Sequence, residues 1–390
     1  MDNQAIVIPE TIDAIRALTG LEKNAQNSIH KTNTSLGIRQ EFYRPRTKMI
    51  VVKKHGILLD PTELQFEDQG VTNPSCIELN GKIQMFYRAI GKENYSSIGY
   101  CELRTPTEVS KRSDKPVLIP EGKYESMGME DPRIVRIDDT YYITYTAYDG
   151  TNALGALAIS KDMETFDRKG VITAQMTYKE FESCIKHCEG KNDKYLRFGK
   201  FFSRHGGIES PYDHLIWDKD VVFFPKKING KFAFLHRIYP DIQIAYFNDT
   251  EDLTYQYWMN YLHNIEKYIV LKSKMPFEAS YIGGGCPPVE TSEGWLIIYH
   301  GVEDTSEGYI YHACAALLDL NEPTKEIGRL RYPLFSPELD WEKQGVVSNV
   351  VFPSATVLRG DSLFIYYGAA DKYIGVASIS LKELIQEMKN

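Results

Sequence analysis

From residue 46 to about residue 380, apolar positions alternate rather than recur at helical spacing, and the alternation comes in five similar packets. Each packet is a turn followed by an aromatic, hydrophobic run that ends in a polar or small residue. They read "LNGKIQMFYRA" (79–89), "IDDTYYITYTA" (137–147), "INGKFAFLHRI" (228–238), "SEGWLIIYHGV" (292–302) and "RGDSLFIYYGA" (359–369). Asn-Gly, Asp-Asp, Glu-Gly and Gly-Asp supply the left-handed or bent backbone that tight hairpins need. A returning run of small and β-branched residues follows each one: "SSIGYCEL", "GALAISKD", "IQIAYFND", "YIYHACAALLDL" and "YIGVASISL". Five successive meander units predict an all-β fold, a five-bladed β-propeller over residues 46–378. A sandwich does not account for five similar hairpins in a row.

Three segments depart from the pattern. Residues 172–217 are polar and irregular, and read as a loop insertion over one face. Residues 1–45 form an extension in which Ile12, Ile15, Leu18 and Leu21 fall on one side of a predicted helix. That helix is a candidate contact for a neighbouring subunit in a homo-oligomer. Residues 379–390, "SLKELIQEMKN" from Ser380 onward, read as a short C-terminal helix with Ser380 as N-cap.

Composition narrows the partners. A net charge of −8 opposes a nucleic-acid partner, since phosphate neutralisation needs a basic surface. No apolar run approaches the roughly 18 residues of a membrane span. The first twenty residues lack a basic segment followed by an apolar one, so the expectation is a cytoplasmic protein; a periplasmic protein with its leader removed would read the same. Aromatic residues reach 12%, and 26 of them are tyrosines, which favour strands and build flat, hydrogen-bonding walls for sugars. Of the six cysteines, only Cys184-x-x-x-Cys188 with His187 between them suggests a metal; without a second ligand pair the reading is free thiols and no metal. No dinucleotide fingerprint, phosphate-binding loop, nucleophile elbow or H-E-x-x-H occurs, so no organic cofactor is expected.

Aligning the five runs by their "FYRA"-type ends brings Arg88, Thr146, Arg237, His300 and Gly368 to one register. In a propeller such ends converge near the axis, and two arginines with a histidine there suit an anionic or polyhydroxylated ligand. Arginines that tie blades together through acids give the same pattern. The stretch "MGMEDPRIV" (127–135) places Glu130, Asp131 and Arg133 just before one of the strands. Asp131 can act as a general acid in a pocket that raises its pKa, or cap a turn with Glu130 while Arg133 makes a surface ion pair. The glycines of "YIGGGCPPVET" (281–291) are expected to let backbone approach a ligand.

"GMEDPRIV", "FFPKKINGKFAFLHR", "GGGCPPVETSEGWLIIYHGV", "YHACAALLDLNEP" and "NVVFPSATV" with "LFIYYGAAD" resemble, in this order over roughly residues 60–378, glycoside hydrolase family 130. These are β-mannoside phosphorylases and their hydrolytic relatives. The resemblance implies a five-bladed propeller, no cofactor, a β-mannoside oligosaccharide as substrate and inversion at C1. It implies that Asp131, in E-D-P-R, is the general acid, acting through the 3-hydroxyl of the sugar. It carries sugar contacts to Asn73, Arg88, Glu130, Arg133 and Asp371. Inorganic phosphate, as co-substrate of a phosphorylase, would meet Lys219, Arg237 and His300. The family's lysine before "IGGG" is Tyr281 here, placed at the substrate mouth. Losing one cation contact, worth about 1.5–3 kcal/mol, weakens phosphate binding. The resulting expectation is an inverting β-1,2-mannosidase that uses water, with Asp220, Glu209 or Glu278 as candidate bases.

The alternative is a β-mannoside phosphorylase releasing mannose 1-phosphate. A non-catalytic glycan-binding propeller shares the scaffold. An arabinanase- or fructosidase-like enzyme would need separated acids, for which Asp60 is in the wrong context.

Overall fold

The computed structural model describes residues 50–186, 193–196 and 214–389. The chain is mostly β, and its strands fall into five antiparallel groups taken almost wholly in chain order. The first holds β2 (Gly70–Leu79), β3 (Lys82–Ile90), β4 (Ser96–Thr105) and β5 (Glu108–Arg112). The second holds β6 (Gly128–Ile137), β7 (Thr140–Tyr148), β8 (Ala153–Ser160) and β9 (Asp167–Val171). The third holds β10 (Asp218–Phe223), β11 (Phe232–Ile238), β12 (Ile242–Phe247) and β13 (Ile269–Leu271). The fourth holds β14 (Tyr281–Gly284), β15 (Val289–Thr291), β16 (Gly294–Thr305), β17 (Gly308–Leu318) and β18 (Glu326–Arg329). The fifth is β19 (Val351–Arg359), β20 (Ser362–Ala369) and β21 (Tyr373–Ser380), completed by the early strand β1 (Lys53–Leu59).

The five sequence runs are therefore the second strands of their groups, not the first. The first strands touch one another: β2 lies against β6, β6 against β10, β10 against β14, and β19 against β2. Single parallel bridges, Ser96 with Gly128 and Asp218 with Leu154, join the first three groups into one sheet. No sheet closes on itself among the described residues.

The buried side chains sort by neighbouring pairs of groups. Phe86, Ile98, Ile134 and Tyr145 pack groups one and two; Leu157, Val221 and Phe234 pack two and three. Val222, Leu235, Ile297 and Tyr299 pack three and four; Leu296, Ala315, Ile365 and Tyr367 pack four and five. Val71, Tyr87, Ala355 and Tyr366 pack five and one. Each group thus packs against a neighbour on both faces.

Helices are short. α1 (Tyr178–Ile185) occupies the segment expected to be irregular, with Thr177 and Glu180 forming a capping box. α2 (Tyr255–Leu262) was not visible in the sequence because its buried face is aromatic, Trp258 and Tyr261, and reads as another strand. α3 (Asp340–Lys343) leads towards the fifth group, and α4 (Leu381–Met388) begins where the Ser380 hydroxyl accepts from the Glu383 amide at 3.1 Å. The N-terminal extension, Glu209, His187 and Cys188 lie outside the described residues.

Candidate active site

The site is built by one backbone device used repeatedly. In β2, β6 and β10 the pairing with the next strand slips between Thr72 and Ser75, Glu130 and Arg133, and Lys219 and Val222. At each slip a non-glycine residue takes a left-handed conformation: Asn73 with φ 46°, Asp131 with φ 52° and Asp220 with φ 57°. Asn and Asp tolerate this region best, and a bulge re-aims the side chain away from the ladder. In β19 the slip falls between Pro353 and Ala355, at Ser354. The register positions aligned in the sequence sit directly opposite. Arg88 pairs with Thr72, Thr146 with Glu130, Arg237 with Lys219, His300 with Gly283, and Gly368 with Phe352. The alignment located the right level of each group but one strand too far out.

Asp131 is partly accessible. Its Oδ1 accepts from Asn73 Nδ2 at 2.7 Å, and Asn73 Oδ1 accepts from the Thr72 hydroxyl at 3.0 Å, which fixes the amide with its NH2 towards the acid. Burial pushes the Asp131 carboxyl up. Arg88, Lys219, Arg133 and the Asn73 hydrogen bond outweigh that and hold it below the usual carboxylate range. Glu130, beside it, is buried and shared by Arg88 at 2.8 Å and Lys219 at 3.4 Å; Arg88 also donates to Ser96 at 2.9 Å.

Asp220 has a different setting. Its Oδ2 stands 3.2 Å from Arg237 Nε and 4.0 Å from His300 Nε2. Burial raises its pKa more than Arg237, Lys219 and Arg133 lower it, and the charge of Asp131 adds to the rise. His300, fully buried, is pushed well below its ordinary pKa by burial and then by Arg237, Arg133 and Lys219, so its ring is neutral.

Arg133 does not reach out to a sugar. The residue is 2% exposed, and its guanidinium donates through Nε to Gly285 O at 2.6 Å and through Nη1 to Pro132 O at 2.9 Å, and lies over Phe352. It crosses from the second group to the fourth as a floor beneath the two acids. Glu278 is excluded as a base: it is buried, and its oxygens accept from Tyr299 Oη at 2.5 Å and from the amides of Lys274 and Met275, with Arg329 at 3.3 Å. A carboxylate so fully engaged has no lone pair for water. Tyr281 lies near the phosphate candidates, its ring 4.9 Å beneath the Arg237 guanidinium. Asp371, with φ 50°, sits in the turn between β20 and β21, close enough to influence Tyr311.

The glycines serve protein groups rather than a ligand. A β-carbon at Gly283 would collide with His300 and Asp220, and one at Gly368 with the side chains of Asn73 and Thr72. Among the described residues the floor also leaves buried polar atoms without hydrogen-bond partners: Arg133 Nη2, both His300 ring nitrogens and Ser354 Oγ. Sequence reasoning misses Ser354, and the available signal is the N-P, D-P and P-S pairs one strand ahead of the first, second and fifth runs. Among the described residues no group of three or more His, Cys, Asp or Glu side chains could hold a metal.

The family model described as β-1,4-mannooligosaccharide phosphorylase, glycoside hydrolase family 130, matches residues 67–200 and 195–390. The chain belongs to this family. Its members act on β-mannosides, so the chain is an enzyme of that class, and the phosphorylases among them take phosphate as co-substrate without a cofactor. A family 130 relative, the 1,2-β-oligomannan phosphorylase of Thermoanaerobacter sp. (strain X514), is 33% identical over 84% of this chain and 96% of its own. The β-1,2-mannobiose phosphorylase of the same organism is 34% identical, with the same coverage of 84% and 96%. Among solved structures, the Listeria innocua β-1,2-mannobiose phosphorylase in complex with β-1,2-mannobiose superposes with a TM-score of 0.64 at 24% identity, covering 87% of this chain and 99% of that one.

Proposed function

We propose that the chain is an inverting β-1,2-mannoside phosphorylase, in which Asp131 is the general acid and Lys219 and Arg237 hold the attacking phosphate. The observation that carries this reading is the facing of Lys219 and Arg237 across β10 and β11, with β10 packed against β6, the strand that carries Asp131. The water-using mannosidase expected from the sequence gives way for two reasons. Two of its three candidate bases are engaged, Glu278 by the framework and Asp220 by Arg237, while Glu209 lies outside the described residues. The relatives at 33% and 34% identity are both phosphorylases.

The chemistry follows from the charges. Arg88, Lys219 and Arg133, with the Asn73 hydrogen bond, keep Asp131 ionised. A phosphate dianion seated between Lys219 and Arg237 offsets them and draws the Asp131 pKa upward, loading the proton that catalysis spends. Phosphate oxygen attacks C1 from the face opposite the glycosidic bond. The C1–O bond breaks, its electron pair stays on the departing oxygen, and the Asp131 proton reaches that oxygen through the 3-hydroxyl. The products are α-mannose 1-phosphate and a mannoside one residue shorter. The unpartnered nitrogens of His300 and Arg133 and the Ser354 hydroxyl are the polar lining such an anion and its waters would satisfy.

The same reading takes the five groups as blades of one propeller. Support comes from the contacts among the first strands and from cores shared by groups one and two through to five and one. The test is incubation with β-1,2-mannobiose, with and without phosphate. Phosphate-dependent release of α-mannose 1-phosphate is expected; equal turnover without phosphate, giving free mannose only, overturns the proposal in favour of hydrolysis.

A further inference from the structure

We propose that Tyr281 is a positioning residue for phosphate, acting by fixing the plane of the Arg237 guanidinium; this rests on the phosphorolytic reading above. Arg237 leaves β11 opposite Lys219, and two groups restrain its head. Asp220 takes the edge, with Oδ2 3.2 Å from Nε, and the ring of Tyr281 takes the face, 4.9 Å from the guanidinium carbon. An arginine held on one edge and one face presents its remaining N–H groups in a fixed fork, the shape that matches a phosphate oxygen pair.

Tyr281 can do this because it is itself immobilised. It is 7% exposed, its hydroxyl shares a 2.7 Å hydrogen bond with that of Tyr311, and the rings of Tyr239 and His300 pack on it at 5.2 and 6.1 Å. The next residue, Ile282, is pinned through its amide to Pro240 O at 3.0 Å. Electrostatics hold the Arg237 charge in place: burial depresses it, and Asp220 foremost more than restores it. A free arginine pays rotamer entropy each time it closes on an anion; here that cost is met when the chain folds. The site thereby replaces an additional cation with a better-aimed one.

The experiment is calorimetric titration of inorganic phosphate into the full chain, alongside initial rates on β-1,2-mannobiose. Tyr281→Leu, which keeps the burial and removes the ring face, is expected to raise both phosphate Kd and phosphate KM by about tenfold. The mannobiose KM should stay unchanged. Tyr281→Phe, which keeps the face, should restore phosphate Kd to within about threefold. If the Leu variant does not fold, Tyr281→Met gives the same reading. The proposal fails if the ring-less variant binds phosphate like the unaltered protein, if both KM values rise together, or if Phe is no better than Leu. Absence of phosphate binding in the unaltered protein is a separate result; it removes the phosphorolytic reading and this role with it.

Discussion

Asp131 and Asp220 occupy corresponding bulges in adjacent groups, with nearly the same backbone and opposite electrostatics. Each has a left-handed conformation one residue after a paired position, and each faces Lys219 and Arg133. Asp131 also receives an amide N–H and stays below its ordinary pKa, whereas Asp220 lacks that bond and burial carries it above. Identical backbone devices therefore deliver side chains; the neighbours contributed by adjoining strands decide what those side chains do. Asn73 is the third copy of the device, and it serves Asp131.

Breaking the first member has the largest effect. Asp131→Asn removes the proton donor, and kcat should fall by about 10³-fold, within the range general acids supply. Binding of β-1,2-mannobiose, read by calorimetry, should persist. Turnover close to that of the unaltered protein would show that the proton comes from elsewhere.

The next test makes the two acids more alike. Asn73→Ala deletes the hydrogen bond that lowers the Asp131 pKa, so the acid stays protonated to higher pH. The basic limb of the kcat/KM profile should move upward, with kcat reduced about tenfold by the lost orientation, the scale of one charge-assisted hydrogen bond. A limb that stays in place would separate Asp131 from that ionisation.

The smallest expected effect concerns stability. The folded-state pKa of Asp220 is raised, so the proton it takes up stabilises the fold fully below the unfolded value and is lost as pH rises through the folded one. The Tm of the unaltered protein relative to Asp220→Asn should therefore fall as pH increases above about 4, then level off. A difference that grows in favour of aspartate with pH would mean that the Arg237 pair, not burial, governs this carboxyl.

Much of this was legible in the sequence, for a physical reason. Strand alternation and hairpin turns are local, so the five runs and the level of Arg88, Arg237 and His300 could be read directly. Which strand is first in a group is a matter of pairing across the chain, and first strands interrupted by bulges, most of them bearing Pro or Gly, carry little alternation. The roles of Arg133 and Glu278 depend on partners far away in sequence, Gly285 for one and Tyr299 with Arg329 for the other. Residue type alone suggested chemistry for both; satisfied hydrogen bonds show structural work. Asp131 was singled out by the family resemblance, since its residue type left acid and turn cap equally open.

The pairing of β1 with β21 carries a consequence for how the molecule comes apart. A strand from near the beginning of the chain completes a group formed near its end, and Lys54 seals it through the buried Glu342 at 2.7 Å and Ser336 O at 2.8 Å. Unfolding that starts at this seam exposes the full backbone edge of β21 and leaves a buried carboxylate without its cation. The seam is thus both the latch of the fold and the place where a second chain, offering its own β1, could be accepted in error.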